Sequence, residues 1–149
     1  MLCNPPQESP PLGGLLFIEF LLTPIPTSCY PFRTRSKGYN LKAKHVIHTV
    51  GPVWRGLTAG AGAAQGADEL LANCYRNSLR LAVQHGVKTI AFPAISTGVY
   101  RFPPARACGI AVRTVTEFLK QDKTIEKVHF VCFDAATYDL YVHELAKKA

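Results

Sequence analysis

The chain has 149 residues, 48% of them hydrophobic and 18% charged, and its 17 Lys and Arg residues outnumber its 10 Asp and Glu residues. This composition predicts one soluble globular domain and excludes a membrane span, because no apolar run reaches the roughly 18 residues that a span needs. The net charge of +7 favours an anionic partner such as a nucleotide phosphate, a nucleic acid or an acidic surface, without choosing among them.

Residues 1–36 are predicted to form a divergent, proline-rich segment ahead of the domain, which we expect to span residues 37–149. Seven of the eleven prolines fall before residue 32. Proline interrupts strand ladders and helices alike. We therefore expect no regular strand or helix in this segment.

Strands and helices are predicted to alternate from about residue 38 onward. The predicted strands span 44–50, 87–93 and 127–133, and the predicted helices span 67–85, 103–120 and 135–148. Gly86 is expected to end the first helix, whose positive N-terminal end suits Asp68 and Glu69, and Pro103 to begin the second. The Gly- and Ala-rich stretch 57–66 is predicted to be a flexible loop. This β-α-β-α-β-α order predicts an α/β fold with a mainly parallel sheet covered by helices.

The loop after the second predicted strand is the strongest candidate for a binding site. Open parallel sheets bind ligands outside the carboxyl ends of their strands, so the three predicted strand ends should share one edge. Gly98 permits backbone conformations closed to other residues, and the N–H groups from Ser96 to Tyr100 then turn inward as an anion-binding nest. The helix beginning near Pro103 adds its positive end. The alternative is a plain connection in which Ser96 and Thr97 satisfy local backbone groups.

Phe133 and Asp134 follow the third predicted strand at the same edge. Phe133 is the last residue on its face of the strand, so it either projects to stack on a base or closes the core as an aromatic lid. Asp134 either accepts a hydrogen bond from a ligand or caps the final helix. No metal-ligand spacing, serine-nucleophile motif or pair of carboxylates is found at these loops, so we expect no metal and no cofactor.

The five cysteines are odd in number and form no C-x-x-C pair, so a disulfide framework is not expected. Three of them are predicted to fill the core: Cys74, Cys108 and Cys132. This cysteine usage favours a reducing compartment, and we expect the cytoplasm, or the nucleus in a eukaryote.

The chain resembles the macrodomain family in four blocks, which are GYNLKAKHVIHTVGPVWRG, LLANCYRNSLRLA, IAFPAISTGVYRFP and VHFVCFDAATYDLY. It looks most like bacterial-type O-acetyl-ADP-ribose deacetylases and related ADP-ribosyl hydrolases, over residues 37–145. The resemblance implies a three-layer α-β-α fold. It also implies ADP-ribose or O-acetyl-ADP-ribose as the ligand, with a mono-ADP-ribosylated protein as a further partner and no membrane partner.

By this resemblance, one loop wraps the diphosphate and distal ribose of ADP-ribose; its residues are Ala94, Ile95, Ser96, Thr97, Gly98, Val99 and Tyr100. Tyr100 would lie against the distal ribose, and Phe133 would stack near the adenine with Asp134 beside it. Relatives commonly carry Gly-Tyr where this chain has Arg101-Phe102. That departure would either crowd the loop or add a phosphate contact.

The family's first motifs are absent, namely an adenine-reading Asp, an Asn-Ala-Ala-Asn segment and a Gly-rich loop with the catalytic Asp. The N-terminal strands and helix of the family are thus missing or replaced, and we expect unpaired strand edges where central strands are lost. No catalytic residue is identifiable. The family activity, hydrolysis of O-acetyl-ADP-ribose or mono-ADP-ribosyl esters, is therefore expected to be impaired in this chain.

Two alternatives to an enzyme stay open. One is a non-catalytic reader of ADP-ribose or poly-ADP-ribose. The other is a basic RNA-binding domain, which the sequence favours less because aromatic and basic residues interleave in a single cluster: Tyr30, Phe32, Arg33, Arg35 and Lys37. Hydrolysis product, binding without product and steep salt dependence distinguish the three.

Overall fold

The structure is a computed structural model that describes residues 2–4, 15–19, 34–37, 40, 43–56 and 61–147. Its elements are β1 (Leu2–Asn4), β2 (Leu15–Glu19), β3 (Thr34–Lys37), β4 (His45–His48), α1 (Ala61–Gln84), β5 (Thr89–Pro93), α2 (Pro104–Gln121), β6 (Lys127–Val131) and α3 (Ala135–Ala146). The strands form one sheet in the order β1-β6-β5-β2-β4-β3, in which only β3 and β4 pair antiparallel. The α/β fold and its mainly parallel sheet are therefore confirmed.

Residues 1–36 contribute strands to this sheet, so the prediction of no regular structure there is wrong. β2 pairs in parallel with both β4 and β5 and lies inside the sheet, while β1 pairs with β6 at one edge. Residues 12–23 contain no proline. The prolines therefore flank the β2 ladder instead of breaking it. The gap that we expected among the central strands is filled.

The three helices pack on one face of the sheet and share a single core with it. Alternate residues of β5 and β6 face the helices and are fully buried: Ile90, Phe92, Val128 and Phe130. Four of the core side chains form an aromatic column, Tyr75, Phe92, Phe130 and Tyr141, with successive ring centroids 5.0, 6.5 and 4.7 Å apart. Burial raises the pKa of the Tyr75 and Tyr141 hydroxyls. Within the described residues, these helices supply one of the two expected helical layers.

Helix α1 begins earlier than predicted. Residues 61–66 belong to the helix instead of a flexible loop, because alanine has the highest helix propensity and offsets the glycines among them. Asp68 and Glu69 consequently lie beyond the first turn of α1, and the role we gave them at its positive end is wrong. Asp68 instead pairs with Arg106 of α2, and Glu69 pairs with Arg76.

The end of α1 follows the prediction. Gly86 adopts a left-handed conformation with φ of 65°, which costs glycine little. Its N–H donates to the carbonyl of Val83, and the N–H of Val87 donates to that of Ala82, both at 3.0 Å. This pair of bonds is the usual glycine-terminated helix end.

The described cysteines behave as core residues. Cys74 and Cys108 are buried, and Cys132 is partly buried. Cys29 and the side chain of Cys3 lie outside the described part of the chain. Among the helices that the structure describes, none is long and apolar enough to cross a membrane. The residues that the structure describes contain no group of three or more His, Cys, Asp or Glu side chains placed to hold a metal ion.

Candidate functional site

The loops that follow β4, β5 and β6 meet along one edge of the sheet, as predicted. Pro93 at the end of β5 pairs with Val131 at the end of β6, so the next residues of both strands emerge side by side. The loop after β4 approaches even more closely. A Cβ atom placed on Gly51 would lie 2.6 Å from Cγ2 of Ile95 and would clash with Oγ of Ser96. Only glycine fits at position 51 without a shift of its neighbours.

The β5–α2 loop, residues 94–103, is closed by its own hydrogen bonds. The N–H of Phe102 donates to the carbonyl of Ser96 at 2.9 Å, and the N–H of Arg101 donates to that of Gly98 at 2.9 Å. The Thr97 hydroxyl donates to the Ala94 carbonyl at 2.9 Å. Phe102 is fully buried beneath the loop. The loop is thus anchored at its base and exposed at its tip.

The left-handed residues of this loop are not the one that we predicted. Ser96 has φ of 67° and Arg101 has φ of 54°, whereas Gly98 is outside that region. A Cβ atom on Gly98 would meet nothing within 4 Å. The expectation that Gly98 supplies the special backbone conformation is therefore wrong, and its place in the binding loop stays a prediction. Two residues with side chains take conformations that cost non-glycine residues roughly 1–2 kcal/mol each.

Hydrogen-bond donors collect around the tip of the loop. Within the described residues, the N–H groups of Gly98 and Val99 donate to no backbone carbonyl. The Ser96 side chain is buried, and its Oγ has no hydrogen-bond partner among those residues. Helix α2 begins with Pro103 as its N-cap, has no side-chain cap and carries no acidic residue in its first turn. Its positive end is thus available to an anion.

Trp54 links the β4–α1 loop to the β5–α2 loop, and the sequence analysis missed it. The backbone N–H of Trp54 donates to the Tyr100 carbonyl at 2.9 Å, and the indole ring packs against Phe102 with ring centroids 4.8 Å apart. The Arg106 guanidinium lies 5.4 Å from the Trp54 ring centroid and binds both carboxylate oxygens of Asp68 at 2.7 Å. The Asp68 hydrogen bonds raise the pKa of Arg106. As the only tryptophan of the chain, Trp54 was the one available signal.

Phe133 and Asp134 lie at the same edge in different states. Phe133 is 99% exposed, so it does not serve as an aromatic lid over the core. Asp134 caps α3, and its carboxylate accepts a hydrogen bond from the N–H of Thr137 at 2.7 Å. The capping alternative for Asp134 is thus realised, and Phe133 projects from the strand end.

The edge is basic. Across residues 49–56, 94–103 and 132–134, which the structure describes in full, Asp134 is the one carboxylate and Arg55 and Arg101 are the cations. These loops therefore hold no pair of carboxylates for acid–base chemistry. For the RNA alternative, Tyr30, Phe32 and Arg33 lie outside the described residues. Arg35 and Lys37 lie on the edge strand β3.

Comparisons with known proteins agree with the sequence resemblance. The family model of the Macro domain matches residues 34–111. A macro domain-containing protein of Chlorobaculum tepidum is 52% identical over 111 residues, which are 74% of this chain and 61% of that protein. An O-acetyl-ADP-ribose deacetylase of Escherichia coli K12 is 48% identical over 109 residues, 73% of this chain and 58% of that protein. The chain thus spans about three-fifths of the length of these curated relatives.

Solved structures give the same match. The Oceanobacillus iheyensis macrodomain with ADP superposes with a TM-score of 0.69 at 37% identity, over 78% of this chain and 57% of that one. The Trypanosoma brucei macrodomain in complex with ADP-ribose superposes with a TM-score of 0.66 at 33% identity, over 76% of this chain and 44% of that one.

Proposed function

Since this chain belongs to the Macro domain family, we propose that it binds ADP-ribose at the edge of the sheet where β4, β5 and β6 end. The observation that carries the proposal is the tip of the β5–α2 loop. There, the N–H groups of Gly98 and Val99 and the hydroxyl of Ser96 have no hydrogen-bond acceptor or partner among the described residues, and the uncapped start of α2 follows within a few residues. Such an arrangement binds phosphate through backbone donors and needs no lysine.

We place the ligand along the loops in one direction. The N–H groups of Ser96 to Tyr100 bind the diphosphate, and Tyr100 lies against the distal ribose. Phe133 stacks on the adenine, with Asp134 beside it. The exposed ring of Phe133 supports this placement, since burying one aromatic face against a base gains binding energy. The ADP and ADP-ribose found in the matched bacterial and trypanosome structures also support it.

Hydrolysis is the second part of the proposal. The relative named O-acetyl-ADP-ribose deacetylase supports cleavage of O-acetyl-ADP-ribose or of mono-ADP-ribosyl esters as the family activity. In the described loops, however, the one carboxylate is Asp134, which caps α3. A water that attacks an ester needs a positioned base. We therefore propose that the chain binds ADP-ribose as a reader and hydrolyses its esters poorly.

Calorimetric titration with ADP-ribose tests the binding, with AMP as the control ligand. AMP keeps the adenine and lacks the diphosphate and distal ribose, so we expect clearly tighter binding of ADP-ribose. Equal affinity for the two ligands, or no heat from a sample whose folding is shown by circular dichroism, would reject the site. A parallel titration with single-stranded RNA across salt concentrations separates the RNA alternative, whose affinity falls steeply with salt.

A product assay tests the second part. The chain is incubated with O-acetyl-ADP-ribose, and released acetate is followed beside the E. coli relative as a positive control. We expect turnover far below that of the relative. Comparable turnover would mean that this chain supplies a catalytic group from outside the three described loops.

A further inference from the structure

Two arginines flank the hydrogen bond that joins the β4–α1 and β5–α2 loops. Arg55 follows Trp54, Arg101 follows Tyr100, and the Trp54 N–H donates to the Tyr100 carbonyl at 2.9 Å. With standard bond lengths, this link holds the Cα atoms of the two arginines within about 11 Å of each other. Both side chains are exposed. Arg55 and Arg101, here called the arginine pair, thus follow directly on the two residues of this link, beside the proposed site.

The arginine pair has no counter-charge within the described part of the chain. Neither Arg55 nor Arg101 takes part in the salt bridges found there. Residues 43–56 and 94–107 contain no Asp or Glu at all. Arg106 differs from the pair, because Asp68 holds its guanidinium with two hydrogen bonds. Two unneutralised cations on neighbouring loops attract an anion that is bound beside them.

The backbone of Arg101 adds a second reason. Its φ of 54° is a conformation that costs a residue with a side chain free energy. The side chain is exposed, so packing in the core does not explain why an arginine occupies the position. An unfavourable backbone conformation kept at an exposed residue of the loop suggests a role in binding.

We propose that the arginine pair binds the negatively charged oxygens of the ligand's diphosphate, in addition to the backbone donors of the β5–α2 loop. This inference rests on the proposed binding of ADP-ribose. A guanidinium forms paired, charge-assisted hydrogen bonds with phosphate, which are stronger than those from neutral N–H groups. The pair therefore makes the affinity of this chain for ADP-ribose higher and more sensitive to salt than the backbone loop alone would.

The test is the ADP-ribose affinity at low and high salt for variants that separate charge from backbone shape. Arg101→Asn removes the charge but keeps a residue that tolerates φ near 54°, and Arg101→Gly removes both the charge and the strain. Arg101→Lys keeps the charge. Arg55→Gln removes the partner charge. The control is Arg113→Gln, which removes one exposed charge on α2 about 14 Å along the helix from its start.

We expect Arg101→Asn, Arg101→Gly and Arg55→Gln each to weaken binding on the order of tenfold at low salt. Arg101→Lys and Arg113→Gln should stay close to the unsubstituted chain. The weakened variants should also lose affinity less steeply as salt rises.

Three outcomes would overturn the proposed role of the arginine pair in binding the diphosphate. Binding by Arg101→Gly as tight as that of the unsubstituted chain would mean that loop shape alone matters. An equal loss in Arg113→Gln would mean that net charge acts without a specific contact. Failure of the unsubstituted chain to bind ADP-ribose would reject the proposed function and the pair together, which distinguishes that failure from the other two.

Discussion

The aromatic column and the β5–α2 loop are joined directly by β5, yet they are built on opposite principles. Phe92 in the column is fully buried between Tyr75 and Phe130, and no left-handed residue lies among these four rings. A few residues further along, Ser96 and Arg101 are left-handed although both carry side chains.

This difference means that the unfavourable local structure of the fold lies in the loop and not in the column. Close packing stabilises each side chain of the column. The loop instead holds left-handed backbone at Ser96 and Arg101, an unfavourable conformation of the kind that is kept at binding sites. Substitutions in the column should therefore change stability first, and substitutions at the edge should change binding first.

The largest expected effect comes from breaking the column. Phe92→Ala removes a fully buried ring and leaves a cavity beside two other rings. We expect the free energy of unfolding in urea to fall by about 3–5 kcal/mol. The matched control is Val142→Ala on α3, where the side chain is exposed, with an expected change within about 0.5 kcal/mol. Similar losses in both variants would contradict the packing described for the column.

Alkaline pH should lower the free energy of unfolding through the core that contains the column. Burial raises the pKa of the Cys74 thiol from 9.0 to about 11. The unfolded chain releases this proton first, so the stability linked to Cys74 is complete below pH 9 and is lost as pH rises towards 11, by about 2–3 kcal/mol. The raised pKa of Tyr75 and Tyr141 extends the loss above pH 10. Urea unfolding at pH 8, 9 and 10 measures the slope.

The control for this pH effect is Cys74→Ala. The variant loses the contact of the Cys74 sulfur with the Val50 carbonyl, so it should be less stable at every pH. Its stability should nevertheless change little between pH 9 and 10. An unchanged slope in the variant would mean that another group titrates there.

A smaller effect is expected where the β5–α2 loop contacts Gly51 in the loop after β4. Gly51→Ala would place a methyl group against Ile95 and Ser96, so the β5–α2 loop must shift. We expect a loss of about 1–3 kcal/mol in stability together with weaker ADP-ribose binding. Gly98→Ala in the exposed tip is the matched control, because a methyl group there meets nothing within 4 Å. A greater loss of stability in Gly98→Ala than in Gly51→Ala would contradict the described loop.

The sequence predicted the second part of the fold because its elements have clear periods. Ala107, Ile110, Ala111 and Thr114 recur at helical spacing in α2, and all four are buried. β2 escaped prediction, since a central parallel strand is a continuous apolar run without alternation and here lies within a proline-rich segment. The start of α1 was missed because glycines within an alanine-rich stretch suggest a loop.

The sequence predicted where the candidate site lies, but it did not predict the contacts that hold the loops of the site together. Strand order and the rule for parallel sheets place the three loops at one edge without knowledge of any contact. Gly51 lies against Ile95 and Ser96, and Trp54 is hydrogen-bonded to Tyr100, so both contacts join residues about 45 positions apart in the sequence. A periodic pattern in the local sequence does not indicate such contacts. The left-handed φ of Ser96 was missed for a related reason, because tertiary packing overrode the preference of the residue.

Phe133 should show the smallest effect on stability and a clear effect on binding. Its ring is 99% exposed, so Phe133→Ala should change the free energy of unfolding by less than about 0.5 kcal/mol. If the ring stacks on adenine, the variant should lose ADP-ribose and AMP affinity by the same factor, on the order of tenfold, because both ligands carry that base. Phe133→Tyr keeps the ring and should bind both ligands normally. A loss confined to ADP-ribose would instead move Phe133 from the base to the distal half of the ligand, while an unchanged affinity would leave an exposed aromatic residue that the ligand does not use.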